Sequence, residues 1–455
     1  MLEFSSKALC PLDGRYEEIK DELSEYFSEY ALVKRRIIVE VKWLEYFINN
    51  ILNIEQEDKK SYISKIKRII NKYNFSEFKR IKEIEEITKH DVKAIEYYIN
   101  EKLELLGLSK LKCFVHIGCT SEDINNVAYA LMIKEGLSDV WLKKSNKLTN
   151  KIDALSKEYS SIPMLAHTHG QPATPTTVGK ELKVYAYRMK EAINYLKMIK
   201  IKAKFNGATG NYSALSIAYP NIDWEENSKT FIKKYLGLNF SEYTTQIEGH
   251  DYIARILDSI RNFNNILLDF NVDMWLYISM GYFKQIPVKN EVGSSTMPHK
   301  INPIKFENSE ANIDISNSLC MALSNKLTKS RLQRDLSDSS SKRNIGLAIG
   351  YSLQAIHETS KGLDKCVVDK EKIEANLIDK WEVLAEPIQT MLRKYGYPDA
   401  YDKLKDLTRG KDIKEKDLKS FINSLDFLAK EDKKILLDLT PLNYIGYASK
   451  LADRK

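Results

Sequence analysis

The residues best suited to chemistry gather in a few short polar stretches. The densest covers 291–310, EVGSSTMPHKINPIKFENSE, where Gly293 permits a turn, Ser294 and Ser295 supply hydroxyls and Lys300 supplies a cation. Asn302 and Pro303 then open a helical run carrying Glu307 and Asn308. Proline suits a first helical turn, and a helix N-terminus fed by a hydroxyl-rich loop favours an anion. An ordinary surface connection between two helices has the same composition. Stretch 116–126, HIGCTSEDINN, sets Thr120 and Ser121 ahead of Glu122 and Asp123, with Ser121 the expected N-cap of the next helix. From those residues alone a cap without a ligand reads equally well, and His116 reads as a hydrogen-bonded structural histidine. Stretch 166–179, AHTHGQPATPTTVG, offers two histidines, the side chain that exchanges protons near neutral pH. His167 and His169 are two apart, so in an extended loop only one of them faces a given site.

Stretch 244–252, TTQIEGHDY, puts Gln246 and Glu248 just before a long helix, where they read as a capping segment. Stretch 330–344, SRLQRDLSDSSSKRN, combines three arginines with a run of serines. Guanidinium forks and hydroxyls match a phosphate, although a solvated charged turn looks much the same. Arg15 and Tyr16, following Asp13 and Gly14, repeat that chemistry on a smaller scale. There is no GxxxxGK[ST], no GxGxxG after a strand pattern and no GxSxG, which argues against a kinase, a Rossmann enzyme and an α/β-hydrolase. Cys10, Cys113, Cys119, Cys320 and Cys366 form no CxxC and no zinc spacing, so incidental thiols in a reducing compartment are expected, with no metal and no cofactor. The formal charge of +7, from 70 basic against 63 acidic residues, suits a small anionic substrate. Lys197, Lys200, Lys202 and Lys204 are spaced for a solvated helix face, and no nucleic-acid partner is expected.

These stretches need elements to hold them. Hydrophobic residues make up 43% of 455, enough for a sizeable core. No proline occurs between Pro11 and Pro163, and apolar residues recur at helical spacing over 27–51, 59–73, 83–106 and 122–159. Gly and Pro cluster instead at 163–179, 207–220 and 281–303. Between and beyond these clusters, 181–205, 251–280, 306–326 and 347–361 read as long helices, the second roughly 45 Å in length at 1.5 Å per residue. Long helices joined by Gly/Pro loops make a bundle with the loops at its ends. The expected fold is all-α in three domains: 1–112 helical, 113–362 a central long-helix bundle, 363–455 a smaller helical domain. The N-terminus lacks a signal-like apolar run, and 266–280 is broken by Asp269, Asn271 and Asp273, so no membrane span and a cytoplasmic location are expected.

GSSTMPHKINP, THGQPATP and HIGCTSEDINN together resemble the fumarase/aspartase superfamily. PLDGRY, KHDVKAIEYY, TTQIEGHDY, SRLQRDLSDSSSKRN, WEVLAEPIQTMLRKYG and NYIGYA narrow the resemblance to the bacterial branch of the adenylosuccinate lyases, across essentially the whole chain. The resemblance implies an all-α, three-domain fold, a homotetramer whose active sites borrow loops from three chains, and fumarate elimination from adenylosuccinate. It implies Ser294 as base, although the residues alone do not separate it from Ser295, and His169 as general acid. It implies Thr120, Ser121, Gln246, Ser295, Lys300 and Asn302 around the succinyl carboxylates, Ile301 as a further substrate contact, and His116 and Asn308 in support. Arg15, Tyr16, Arg334, Ser339 and Arg343 match the nucleotide end, and Lys89, His90 and Asp91 another contact region. Ser340, Ser341 and Lys342 are more polar than the apolar spacer usual before Arg343, and Gly249 is unusual before His250. Another fumarate-releasing member, such as an argininosuccinate lyase, is the alternative that the Arg/Ser stretch disfavours.

Overall fold

The computed structural model describes residues 7–287, 296–297, 299–408 and 413–454. Among them almost every element is a helix; the strands are four two-stranded ladders of two or three residues each. The fold is therefore all-α, as the scarcity of alternating patterns anticipates. Two compact units emerge, each discontinuous in sequence: one of residues 1–145, 192–265 and 311–355, the other of 146–191, 266–310 and 356–455.

In the first unit, helix Glu29–Asn50 begins at Ser28, whose hydroxyl accepts from the Ala31 amide at 3.1 Å. It carries Val33, Ile37, Val41, Leu44 and Ile48, spaced three or four apart, into a core with Ile66, Ile81, Ile95 and Ile99. A second face presents Trp43, whose ring packs on Phe47, Phe205 and Phe231 while its indole donates to the Ile117 carbonyl at 3.0 Å. That bond ties the 116–120 turn to the core. The single helix expected over 83–106 is two, Phe75–Thr88 and Asp91–Leu105. Lys89 takes a left-handed φ of 52°, and the His90 ring accepts the Lys93 amide at 3.1 Å as an N-cap. Apolar spacing resumes in register after the break, so periodicity alone does not reveal it.

Helix Ser121–Gly136 continues through a π-helical turn, Leu137–Trp141, into Leu142–Glu158, matching the uninterrupted run expected there. Trp141 donates to Ser352 (2.9 Å), which donates to the Asn264 side-chain carbonyl (2.7 Å), and the Asn264 amide donates to Ser316 (3.0 Å). This buried polar layer joins helices far apart in sequence and satisfies each donor.

The second unit has an equivalent device. Asn271 of the 29-residue helix Asp251–Ser279 donates to Ser309 at 2.8 Å and accepts from Thr359 at 2.9 Å. Helix Val178–Met198 starts against the chain at 156–160, where Gly179 leaves no room for a Cβ: an added carbon would lie 2.1 Å from the Ser156 carbonyl oxygen. A separate core of Leu384, Ile388, Leu392, Leu418, Ile422 and Leu436, with Leu165, organises the shorter C-terminal helices. No helix among the described residues is long and apolar enough to cross a membrane. The lysine face expected over 197–204 does not form. The helix ends at Met198, Lys202 enters a short parallel ladder with Asn239, and Lys204 is completely buried.

Candidate active site

Helix Ser121–Gly136 starts from Thr120, one residue earlier than expected, because Asp123 reaches back to accept the Thr120 amide at 2.8 Å. The same carboxylate accepts from the amides of Asn206 (3.0 Å) and Gly207 (3.1 Å) and pairs with the Lys204 ammonium at 2.9 Å, both groups fully buried. One acid thus fixes the helix start and the turn at 204–207. From that turn, the Asn206 side chain donates to Thr244 at 2.8 Å, anchoring the segment that carries half-buried Gln246. Thr120 and half-buried Ser121 therefore sit at a fixed helix N-terminus, whose free amides and dipole favour a carboxylate. His116, in a left-handed turn (φ 59°), lies with Nδ1 2.6 Å from the buried Glu40 carboxylate and Nε2 3.8 Å from Glu96. Burial lowers the imidazole, but the Glu40, Glu96 and Asp123 carboxylates, Glu40 foremost, together outweigh it and the net shift is upward.

The 330–344 stretch folds against the same helix. Arg334 pairs with Glu122 at 2.7 Å, and Lys342 turns inward to reach the other Glu122 oxygen and Asp338, each at 2.8 Å. Burial would raise the Glu122 carboxyl, yet Lys342 and Arg334 outweigh it and hold it down at about 2. His250 packs beside this group with Nδ1 3.2 Å from the Leu327 carbonyl; burial and the Lys342 charge press its imidazole down to about 4, so it is neutral near pH 7. On the exposed side, Arg343 donates to the Ser339 hydroxyl at 3.1 Å and lies 3.6 Å from Asp91. Asp91 pairs with Arg36 at 2.7 Å, and although burial raises its carboxyl, Arg36 and Arg343 hold it below the usual range.

The first unit therefore brings Asp91, Ser339 and Arg343 together, and joins Arg334 to the Thr120–Ser121 cap through Glu122. His90 is spent as a helix cap, exposed Lys89 pairs locally with Glu86 at 2.9 Å, and Arg15 and Tyr16 sit at the start of helix Glu17–Phe27. Glu122, Asp123 and Lys342 are structural members that the residue types did not single out. Their signal is spacing: Asp123 stands three after Thr120, and Asp338 stands four before Lys342 on the short helix Ser337–Lys342.

In the second unit, His169 is not in an extended loop. His167–Thr168 pairs antiparallel with Gln171–Pro172, and His169 and Gly170 form the two-residue connection with φ of 54° and 72°. Two consecutive positive φ values define the tight turn that matches strand twist, and histidine tolerates that region better than most residues. His169 stands exposed at the hairpin tip. Lys300 and Ile301 are exposed, the Ile301 carbonyl accepts from Gln285 at 2.7 Å, and Asn302 leads into helix Ile304–Leu327. On that helix Asn308 donates to Glu358 at 3.1 Å, beside the Lys305–Glu358 ion pair at 2.8 Å. Ser294 and Ser295 lie outside the described residues.

The backbone superposes on a fumarate lyase from Mesorhizobium sp. BNC1 with a TM-score of 0.75 and 17% identity, covering 95% of this chain and 96% of that one. A 3-carboxy-cis,cis-muconate lactonizing enzyme from Pseudomonas putida gives 0.70 and 18%, covering 94% of each. The fold is thus that of the fumarate lyase class, and the family model described as Lyase matches residues 14–313. A second model, adenylosuccinate lyase C-terminal, matches residues 330–445. Adenylosuccinate lyases of Legionella pneumophila (48% identical, 98% of this chain and 97% of that one) and Escherichia coli K12 (46%, 99% of each) align from end to end. One from Haemophilus influenzae is 46% identical over 98% of each. The chain belongs to the adenylosuccinate lyase family.

Proposed function

We propose that this chain eliminates fumarate from adenylosuccinate to give AMP, and from succinyl-aminoimidazole-carboxamide ribotide to give the carboxamide ribotide, in purine nucleotide biosynthesis. The observation that carries the reading is 46–48% identity to adenylosuccinate lyases over nearly the full length of both chains. The reaction removes a proton from carbon beside a carboxylate, so it needs a base and a field for the developing dianion. Ser294 takes that proton, with Lys300 favouring its alkoxide; the C–N bond then breaks, and His169 gives a proton to the departing nitrogen. Thr120, Ser121, Gln246, Ser295, Lys300 and Asn302 hold the succinyl carboxylates, with Ile301 a further substrate contact. Arg15, Tyr16, Arg334, Ser339 and Arg343 hold the nucleotide and its phosphate, with Lys89, His90 and Asp91 nearby. The fixed helix start at Thr120 and the Arg/Ser cluster of the first unit support these roles. The reading invokes no cofactor.

The same reading carries a homotetramer with sites completed by loops from three chains, a cytoplasmic location, and domains at 1–112, 113–362 and 363–455. Separate apolar cores around Ile37 and around Ile388 support the outer two domains. The test is an assay of purified protein: adenylosuccinate absorbance changes while fumarate accumulates, and Ser294→Ala and His169→Ala each lower kcat by about 10²–10⁴. Turnover of argininosuccinate instead, or variants within a fewfold of the parent, would reject the reaction or the roles.

A further inference from the structure

The ion cluster beneath Arg334 has a member that no step of the proposed reaction uses. Lys342 is 2% exposed, and its ammonium bridges Glu122 and Asp338, 2.8 Å from each. Arg334 shares Glu122 through the other oxygen at 2.7 Å, with its second nitrogen 3.9 Å from Asp338, but keeps 16% of its side chain exposed. Two carboxylates thus face two cations, one turned inward and one toward the surface, and neutral His250 adds no charge. Glu122, His250 and Asp338 offer ligand atoms within 4.8 Å of one another, a spacing a metal ion could use, but the lysine ammonium stands between the two acids as their cation.

With a neutral residue at 342, Glu122 and Asp338 would face Arg334 alone, and a net negative charge would lie buried beneath its guanidinium. Charges interact strongly where water is excluded, so Arg334 would be drawn into neutralising that excess and an arriving anion would be repelled. We propose that Lys342 is a positioning residue for the nucleotide end: it balances Glu122 and Asp338 from within and leaves the charge of Arg334 to the substrate phosphate. This rests on the nucleotide role given to Arg334 above.

Calorimetric titration of the full-length protein with inorganic phosphate tests it. Lys342→Met binds phosphate about tenfold more weakly and shows a KM for adenylosuccinate raised by a similar factor, with kcat within about threefold of the parent. Inhibition by fumarate, which carries no phosphate, stays unchanged. The double variant Glu122→Gln/Lys342→Met removes one charge of each sign and returns phosphate affinity to within about threefold of the parent. It also decides the matter if the single variant does not fold, since a loss of phosphate affinity in this balanced variant overturns the proposal. So does an unchanged affinity in Lys342→Met, equal weakening of phosphate and fumarate, or a parent that binds no phosphate. A parent whose phosphate affinity falls in Lys342→Met and returns in the double variant, yet which leaves adenylosuccinate intact, rejects the reaction and leaves this role of Lys342 at an anion site standing.

Discussion

Single carboxylates do much of the organising here. Asp123 answers three backbone amides and one buried ammonium, so Asp123→Asn leaves Lys204 as an uncompensated buried charge. Removing one partner of a buried pair costs about 3–5 kcal/mol, and urea unfolding should show a loss of that size. A stability change under 1 kcal/mol would mean the turn at 204–207 is held by something else. His116 gives a pH signature. Its folded-state value lies above the ordinary 6.5, so the stability from the Glu40 contact is fully present below about 6.5 and is lost as pH rises through the folded value. Melting curves of the parent and His116→Gln should therefore differ most near pH 6 and converge toward pH 9. Glu122 has the opposite sense: held at about 2 against an ordinary 4.5, its contribution is complete above 4.5 and disappears as pH falls toward 2. Residue types point to Thr120, Ser121 and the arginines because hydroxyls and guanidinium groups are suited to meeting an anion. They do not point to Lys342 or Lys204, whose partners are 220 and 81 positions away and become neighbours only through folding.

At the scale of elements, the long helices were legible because their apolar residues keep one period over many turns. Asp251–Ser279, Ile304–Leu327 and Ile345–Asp364 fall within a few residues of the runs read from sequence. What period cannot show is where a helix stops without losing phase, as at Lys89, or a ladder as short as His167–Thr168, since two residues leave no alternation to read. The contact of Gly179 with 156–160 is equally invisible, because the glycine is required by backbone far away in the chain. An alanine there must displace the Ser156 carbonyl and the Ser160 backbone. Gly179→Ala should lose about 1–3 kcal/mol or more, read as a lower melting temperature, whereas Gly170→Asn, with nothing near its Cβ, should melt within a degree or two of the parent. Equal melting of Gly179→Ala and the parent would show that the start of Val178–Met198 can move aside.

For the whole molecule, several long helices end up with large apolar side chains in solvent. In the second unit Tyr187 and Trp275 are exposed, and in the first Met198 and Met321. Exposed apolar residues of this size on rigid helices support the proposed homotetramer. Light scattering should give four chains per particle. Mixing Ser294→Ala with His169→Ala, each inactive alone, should restore turnover well above the sum of the two after exchange of subunits, because some shared sites then receive both intact groups. No recovery in a mixed tetramer would place the two residues in one chain's own site.

The hairpin tip has a consequence for how position 169 can vary. Under its proposed role it must satisfy two unrelated demands, a proton to give and a backbone bent to positive φ beside Gly170. Asparagine meets the second demand without the first, whereas valine fails both, since a β-branched side chain clashes in the left-handed region. His169→Asn is thus the substitution that silences the chemistry while preserving the shape of the turn. Loss of activity in His169→Val would, by contrast, confound a missing proton with a rebuilt loop.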